Sequence, residues 1–339
     1  MPPDDAIGNQ LTRKTSCLSR LFAAAALSAL TLVAIGPVRA QPWPSKPIRI
    51  ISPIGAGSAA DILARMFSEQ LSAQLGQPVV VENRPGAGGT IGVNAVAKAD
   101  PNGYTVLIHS NGFAIAPAVY FNLPYDPIKD FITITTLGYF PNVLVVAPSK
   151  NFRTLQDLVA AARSKPGSMT YASGGVGTPT HLAAERFRIS AAFEAQHVPF
   201  KSQPAAMTEV MTGRVDFYFC PVFPALPLIQ AGKLVPLAVS GSKRVSALPG
   251  LPTVLEAGFA NSDYNFWVGM FVPANTPADI VRKLHNETVK VMQNTAFQEK
   301  LEKLSIVPMT MTPEQFGAYV KDDIAASALL AKAAGIASQ

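Results

Sequence analysis

Short β-branched segments alternate with longer amphipathic segments along the chain from Ile48 onward. The first short segments read IRIIS, PVVVE and YTVLIHS, and residues 58–75 and 90–98 between them place apolar positions at helical spacing. This alternation of strands and helices indicates a parallel sheet with helices on its faces.

A second series with the same alternation starts near Asn142. Its predicted strands read NVLVVAP, MTYAS, FEAQHVPF, VDFYF and LVPLAVSG. Its predicted helices start at Thr154 and at Pro179 and cover residues 204–212. The chain therefore contains two βα series, each long enough for a lobe of its own.

The segment FWVGMFVPA and two closing helices, from Pro277 and from Pro313, follow the second series. Because these tail elements are left over, we expect one lobe to be interrupted by the other. The predicted first lobe comprises residues 41–142 and 266–339, and the second comprises residues 143–265. Two crossings between lobes would act as a hinge beside a ligand cleft. A single large doubly wound domain is the alternative interpretation.

The amino-terminal segment has the layout of a secretory signal. An uncharged apolar run, Leu21 to Ile35, follows basic residues and precedes the tripeptide Val38 to Ala40. The run is shorter than the ~20 residues that cross a bilayer as a helix. We expect residues 1–40 to be a signal peptide cleaved after Ala40, and the mature protein to be periplasmic.

Charge and cysteine content narrow the range of partners. The chain has 28 basic and 22 acidic residues and a net charge of +6, without long runs of one sign. We therefore expect no nucleic-acid partner. Of the two cysteines only Cys220 lies beyond the predicted signal peptide, so no intramolecular disulfide can form in the mature chain.

Three glycine-rich loops each lie between a predicted strand and a predicted helix. They are Pro53–Asp61 (PIGAGSAAD), Arg84–Thr90 (RPGAGGT) and Ser173–His181 (SGGVGTPTH). In a parallel sheet such loops lie at the carboxyl edge, where ligands of open α/β folds bind. The free N–H groups and the partial positive charge at a helix start favour an anion there.

The first and third of these loops carry helix-start signals. Ser58 and Asp61 have the spacing of a capping box, and Thr178 before Pro179 reads as an N-cap followed by proline at the first helical position. Since the first loop falls in one predicted lobe and the third in the other, closure would bring two helix ends face to face across the cleft.

The first loop also fits a dinucleotide-binding fingerprint. GAGSAA matches G-x-G-x-x-A, and Glu82 stands where a ribose-binding acid would be expected. Against this, Pro53 and Ile54 separate the strand from the glycines, and the predicted compartment is poor in free dinucleotide. A secreted α/β enzyme remains the minor alternative; we expect no catalysis, no cofactor and no metal, because no G-x-S-x-G, C-x-x-C or H-E-x-x-H motif is present.

Longer motifs carry a family resemblance. WPSKPIRIISPIGAGSAADILAR, LGQPVVVENRPGAGGTIG, NLPYDPIKDF, YASGGVGTPTHLAAE, ALPGLPTVLEAG and TPEQFGAYV occur in this order between about Trp43 and Gly335. This stretch resembles the Bug-type extracytoplasmic solute receptors of tripartite tricarboxylate transporters.

The resemblance implies a two-lobed α/β periplasmic-binding-protein fold of the Venus flytrap kind. Each lobe is expected to be a mainly parallel sheet flanked by helices. The implied function is that of a monomeric receptor that closes on a small carboxylate and delivers it to two membrane subunits. A ligand sensor for a membrane kinase would share the same pocket and stays open as an alternative.

The resemblance also implies a set of binding residues, because the family holds a carboxylate largely through loop amides and bridging waters. In the first loop these are Ile54, Gly55, Ala56, Ser58 and Ala59, and in the third loop Gly175, Val176, Gly177 and Thr178. Ser110 and Asn111 are expected to close one side of the pocket, and Phe219 and Cys220 the other.

Several positions depart from the usual pattern of that family. Ile54 stands in place of an aromatic residue, Ser58 in place of a glycine and Cys220 in place of an aspartate. The pocket should therefore be more apolar and have one acid fewer, which favours a carboxylate with an apolar or aromatic body over an amino acid. Lys201 either pairs with a second carboxylate or is an ordinary exposed lysine.

Overall fold

The computed structural model describes residues 42–336. The predicted signal peptide, residues 1–40, lies outside the described residues. In chain order the described strands are β1 Ile48–Ser52, β2 Val79–Asn83, β3 Thr105–Ser110, β4 Phe131–Phe140, β5 Asn142–Val146, β6 Met169–Ser173, β7 Ala195–Pro199, β8 Phe217–Pro221, β9 Val235–Val239 and β10 Phe266–Pro273.

The helices follow the strands as the alternating pattern indicated. In chain order they are α1 Ala59–Leu75, α2 Thr90–Ala97, α3 Gly112–Val119, α4 Leu155–Ser164, α5 Pro179–Ser190, α6 Gln203–Met211, α7 Val222–Gln230, α8 Ala278–Gln293, α9 Thr295–Lys303 and α10 Pro313–Ala333. Within residues 42–336, none of them combines the length and the apolar character needed to cross a membrane.

The strands form two sheets of five, with the orders β2-β1-β3-β10-β4 and β7-β6-β8-β5-β9. In the first sheet, β1 runs parallel to β2 and β3, whereas β10 runs antiparallel to β3 and β4. In the second sheet, β6 runs parallel to β7 and β8, whereas β5 runs antiparallel to β8 and β9. The two sheets thus share one topology.

Each sheet is mixed rather than mainly parallel, which refines the sequence-based expectation. The βα alternation correctly indicated the parallel half of each sheet. The antiparallel half arises from β5 and β10, the first strands after the chain passes from one sheet to the other. Two parallel neighbours in a sheet are usually joined by a crossover helix, but a strand that enters from the other sheet needs none. The alternation of predicted strands and helices therefore could not show the direction of β5 and β10.

The chain passes between the sheets over very different lengths. Pro141 alone separates β4 from β5, and its carbonyl accepts a hydrogen bond from Val222 N at 3.0 Å. The return runs through residues 240–265, between β9 and β10. The two connections are therefore one short and one long segment.

Some elements were absent from the sequence-based prediction. Helices α3 and α7 contain Pro117 and Pro227, and proline within a helix is normally unfavourable, which hid both of them. Strand β4 and helix α9 were also not predicted. The elements that were predicted lie where expected to within a few residues.

Aromatic packing covers one face of β10. The Phe271 ring lies 4.3 Å from that of Phe113 and 5.1 Å from that of Phe316, measured between ring centroids. Gly269 lies directly beneath Phe316, since a Cβ on this glycine would come within 2.2 Å of Phe316 Cζ. The absence of a side chain at this position allows α10 to pack closely on the first sheet.

We predict that Gly269→Ala lowers the free energy of unfolding by about 1–3 kcal/mol, because the added methyl group must displace the buried Phe316 ring. Urea denaturation monitored by circular dichroism measures the change. Gly250→Ala is the matched control, since a Cβ there meets no atom within 4 Å, and it should stay within about 0.5 kcal/mol of wild type. Equal effects of the two substitutions would contradict the packing argument.

Candidate functional site

A cavity of about 450 Å³ lies where the carboxyl ends of the parallel strands of both sheets meet. The segments after β1, β2 and β3 contribute from the first sheet, and those after β6 and β7 from the second. The residues that line it are Pro53, Ile54, Gly55, Ser58, Pro85, Gly86, Ala87, Gly88, Gly89, His109, Ser110, Gly112, Gly174, Gly175, Thr178, Pro179, Phe200, Lys201, Ser202, Gln203 and Phe266.

About half of the predicted binding residues line this cavity. Those that do are Ile54, Gly55, Ser58, Ser110, Gly175 and Thr178. Those that lie in or beside the same loops without lining the cavity are Ala56, Ala59, Asn111, Val176 and Gly177. Asn111 instead donates through Nδ2 at 3.0 Å to Oη of Tyr264, which belongs to the long connection between the sheets.

Phe219 and Cys220 do not close the cavity, contrary to the expectation from the sequence. Both are fully buried within β8, a strand paired on both sides with β5 and β6. Cys220 packs in a hydrophobic cluster that includes Val143, and burial raises the pKa of its thiol. The structure therefore places Cys220 in the core, as an inert residue.

The first glycine loop leads into α1 through Ser58, which is the N-cap residue. The predicted capping box does not form, since the Ser58 hydroxyl caps no helix amide and the Asp61 carboxylate accepts from Gly57 N at 2.9 Å rather than from Ser58 N. Asn83 Nδ2 donates to the same carboxylate at 2.7 Å. Burial alone would raise the pKa of Asp61, but the hydrogen bonds from Asn83, Gly57 and Arg65 hold it below its ordinary value.

The Ser58 hydroxyl and the Gly55 N–H of this first loop have no protein partner among the described residues. The Ser58 side chain is only 3% exposed, and its Oγ has no hydrogen bond. The Gly55 N–H donates to no protein acceptor in residues 42–336. Both residues line the cavity. Leaving the buried Ser58 hydroxyl unpaired is costly, and the half-buried Gly55 of the same loop offers a second free donor, so the two groups mark a place for an acceptor from outside the protein.

The third glycine loop, which leads into α5, has satisfied most of its donors internally. Four of its amides donate within the protein: Gly174 to Thr180 Oγ1 (3.0 Å), Gly175 to Ser173 Oγ (3.0 Å), Gly177 to His181 Nδ1 (3.3 Å) and Thr178 to Gly175 O (3.3 Å). Thr178 is the N-cap and Pro179 the first helical residue, as predicted, but the Thr178 hydroxyl donates to Gly175 O at 2.7 Å. This loop is a braced turn with few free donors.

Two stacked histidines support the third loop from behind. The rings of His181 and His197 lie 3.8 Å apart, and His197 Nε2 lies 2.6 Å from Ser173 Oγ. Burial lowers the pKa of His181 to about 4 and that of His197 to about 3. Both rings are therefore neutral at pH 7, and His181 Nδ1 can accept the bond from Gly177.

The charge balance of the cavity favours an anion. Lys201, which is exposed, carries the formal charge among the lining residues, and no acidic side chain lines the cavity in the described part of the chain. His109 also lines it, but burial lowers the pKa of this histidine to about 3, so that it is uncharged.

Sequence reasoning left two segments of the cavity wall out of the predicted site, apart from Lys201, which it named as a candidate partner for a second carboxylate. Residues 85–89 belong to the second glycine loop, which was recognised but not assigned to the site, and residues 200–203 follow β7. Gly89 packs against His109, since a Cβ on it would lie 2.9 Å from Nε2. The two segments follow equivalent strands, because β7 occupies in the second sheet the position that β2 occupies in the first. The position of the second glycine loop at the end of a predicted strand could have identified it as part of the site.

Comparison with known proteins identifies the family. The model of the tripartite tricarboxylate transporter family receptor matches residues 63–336. Protein BugT of Bordetella pertussis is 30% identical over 309 residues, which cover 91% of this chain and 95% of BugT. R. palustris Rpa4515, whose structure was determined with adipate, is 31% identical in sequence. Its structure superposes with a TM-score of 0.84, and the match covers 88% of this chain and 100% of Rpa4515.

The structure of the periplasmic binding protein BugD superposes with a TM-score of 0.82 at 30% identity, and covers 88% of this chain and 100% of BugD. The two mixed sheets with flanking helices therefore form a periplasmic-binding-protein fold, which confirms the predicted fold class and removes the dinucleotide-dependent enzyme from consideration. The chain belongs to the tripartite tricarboxylate transporter receptor family, a family of periplasmic solute-binding receptors and not of enzymes.

Proposed function

We propose that this receptor captures a small carboxylate in the cavity between two lobes and delivers it to the two membrane subunits of a tripartite transporter. The proposed lobes are residues 41–142 with 266–339, and residues 143–265. In this proposal the protein is exported, loses its signal peptide after Ala40 and acts in the periplasm as a monomer.

The unpartnered Ser58 hydroxyl carries the proposal. It is buried, it lines the cavity, and it stands at the amino end of α1 together with the free N–H of Gly55. A carboxylate oxygen is a suitable acceptor for both groups, and the partial positive charge of the helix start adds to the attraction. The absence of acidic lining residues in the described chain is consistent with this choice.

A few such contacts are sufficient for physiological affinity. A hydrogen bond to a charged group contributes about 1.5–3 kcal/mol, whereas micromolar binding corresponds to about −8 kcal/mol. Three charge-assisted bonds, together with burial of an apolar ligand body against residues such as Ile54 and Phe200, account for binding of this order.

The residues that line the cavity also favour a ligand without an amino group. An ammonium group buried in the cavity would need an acidic partner, and no acidic residue lines it within residues 42–336. Rpa4515, whose structure contains adipate, shows that a relative accepts an acid without an amino group. We therefore propose a carboxylate with an apolar body, and Lys201 is placed to pair with a second carboxylate if the ligand has one.

We predict that mass spectrometry of material released by denaturing the purified protein detects an unmodified carboxylic acid without an amino group. Calorimetric titration of ligand-free protein should then give binding of adipate or benzoate, and much weaker binding of aspartate and glutamate. Binding of aspartate or glutamate alone would contradict the proposed ligand class, and recovery of a chemically altered ligand would contradict a receptor.

We predict that Ser58→Ala weakens carboxylate binding about tenfold, the effect of losing one hydrogen bond to a charged group. The variant should be as stable as wild type or more stable, because it removes a buried hydroxyl without a partner. A structural N-cap behaves in the opposite way, since its loss costs about 1 kcal/mol of stability.

Calorimetry and thermal unfolding measure these two effects. Ser164→Ala, at an exposed serine outside the cavity, is the control and should leave affinity unchanged. Lower stability of Ser58→Ala with unchanged affinity would show that the hydroxyl serves the fold rather than the ligand.

A further inference from the structure

Gln203 connects the two sides of the cavity. It is the first residue of α6, which packs on β6 and β8 of the second sheet, and its Oε1 accepts a hydrogen bond of 3.1 Å from Ala59 N at the start of α1. Helix α1 packs on β1 and β2 of the first sheet. One of the amides expected to hold the ligand is therefore already bound to a glutamine from the opposite sheet.

The bond to Ala59 fixes the orientation of the Gln203 amide. A backbone N–H can only donate, so the oxygen of the side chain must face Ala59 and the nitrogen must point elsewhere. Among the described residues, Nε2 of Gln203 donates to no acceptor. The side chain is 9% exposed and lines the cavity.

The surroundings hold this side chain in place. Gly174 of the third loop lies beneath it, since a Cβ on that glycine would be 3.4 Å from Gln203 Cγ. Ser202 caps α6 by accepting from Ala205 N at 3.3 Å, which fixes the start of the helix. The Gln203 amide, whose nitrogen has no hydrogen-bond partner among residues 42–336, is bonded to Ala59, the residue next to Ser58, and the Ser58 hydroxyl is buried without a partner.

We propose that Gln203 is a ligand-binding residue that selects for an anionic or strongly accepting group. Its Oε1 is held by Ala59 N–H, and its Nε2 donates to the ligand. The start of α1 thus orients the donor that contacts the ligand, although this donor belongs to a side chain of the opposite sheet. The bond between Ala59 and Gln203 forms when the two sides of the cavity meet. This inference rests on the proposed function.

Two substitutions that introduce opposite charges distinguish ligand binding by Gln203 from a simple contact between the two sides of the cavity. Gln203→Glu keeps an oxygen acceptor for Ala59 but places a negative charge where the donor was. Gln203→Lys keeps a donor but loses the acceptor. If Nε2 binds the ligand, Gln203→Glu should lose affinity on the order of a hundredfold, and Gln203→Lys should lose less than tenfold. If Gln203 only bridges the two sides, the order of affinities is reversed.

The affinities are measured by calorimetry with adipate or benzoate, whichever the wild type binds more tightly, after thermal unfolding has shown which variants fold. Gln230→Glu and Gln230→Lys, at an exposed site at the end of α7, correct for the long-range effect of the added charge. Either Gln203 variant suffices if the other does not fold, because each has its own expected value.

The outcomes distinguish this inference from the function on which it rests. A wild-type protein that binds none of the carboxylates would overturn the proposed function and the inference with it. A wild-type protein that binds one of them, with Gln203→Glu within twofold of it or Gln203→Lys weakened more than tenfold, would overturn the role of Gln203 alone.

Discussion

The pairing of buried hydrogen-bond donors is the constraint on which this structure depends. In each sheet one strand, β1 or β6, is followed by a glycine loop and the start of a helix. Both loops contain N–H donors that need acceptors. At the third loop the acceptors come from Ser173, Thr180 and His181. At the first loop Ser58 and Gly55 have none within residues 42–336. The difference between two topologically equivalent loops is therefore a difference in how their donors are satisfied.

This asymmetry gives the two sides of the cavity different tasks. The third loop is held by internal hydrogen bonds and by the neutral histidines behind it, and it forms the wall of the cavity with few free donors. The first loop offers the unpaired donors and gains the most from a ligand. Gln203 links the two tasks, because it stands on the third loop's Gly174 and bonds to the helix start of the first. In the proposed role of Gln203, ligand affinity and the contact between the two sides are coupled.

The sequence predicted the features that follow from local pattern. The β-branched runs predicted most strands, the glycine loops indicated where an anion would bind, and the family resemblance implied Ile54, Gly55, Ser58 and Thr178 as binding residues. Features that depend on strand order or side-chain direction were not predicted. Phe219 and Cys220 lie inside a central strand, a position that is set by pairing with β5 and β6. The Ser58 hydroxyl had the spacing of a cap, yet the Asp61 carboxylate bonds to Gly57 instead. Gln203 could not be found because its partner is 144 residues away.

An anion held by a helix start and neutral donors leaves the rest of the cavity free to vary. Burial keeps His109, His181 and His197 uncharged, so positive charge within reach of the ligand comes from the helix end and from the exposed Lys201. A deeply buried cation would need a fixed counter-charge and would limit the cavity to one shape of ligand. Backbone and amide donors impose no such requirement, because they are neutral without the ligand. In the proposed binding mode, selectivity among carboxylates depends on the apolar wall and on Gln203, and the recognition of the carboxylate itself can be shared across a family with many ligands.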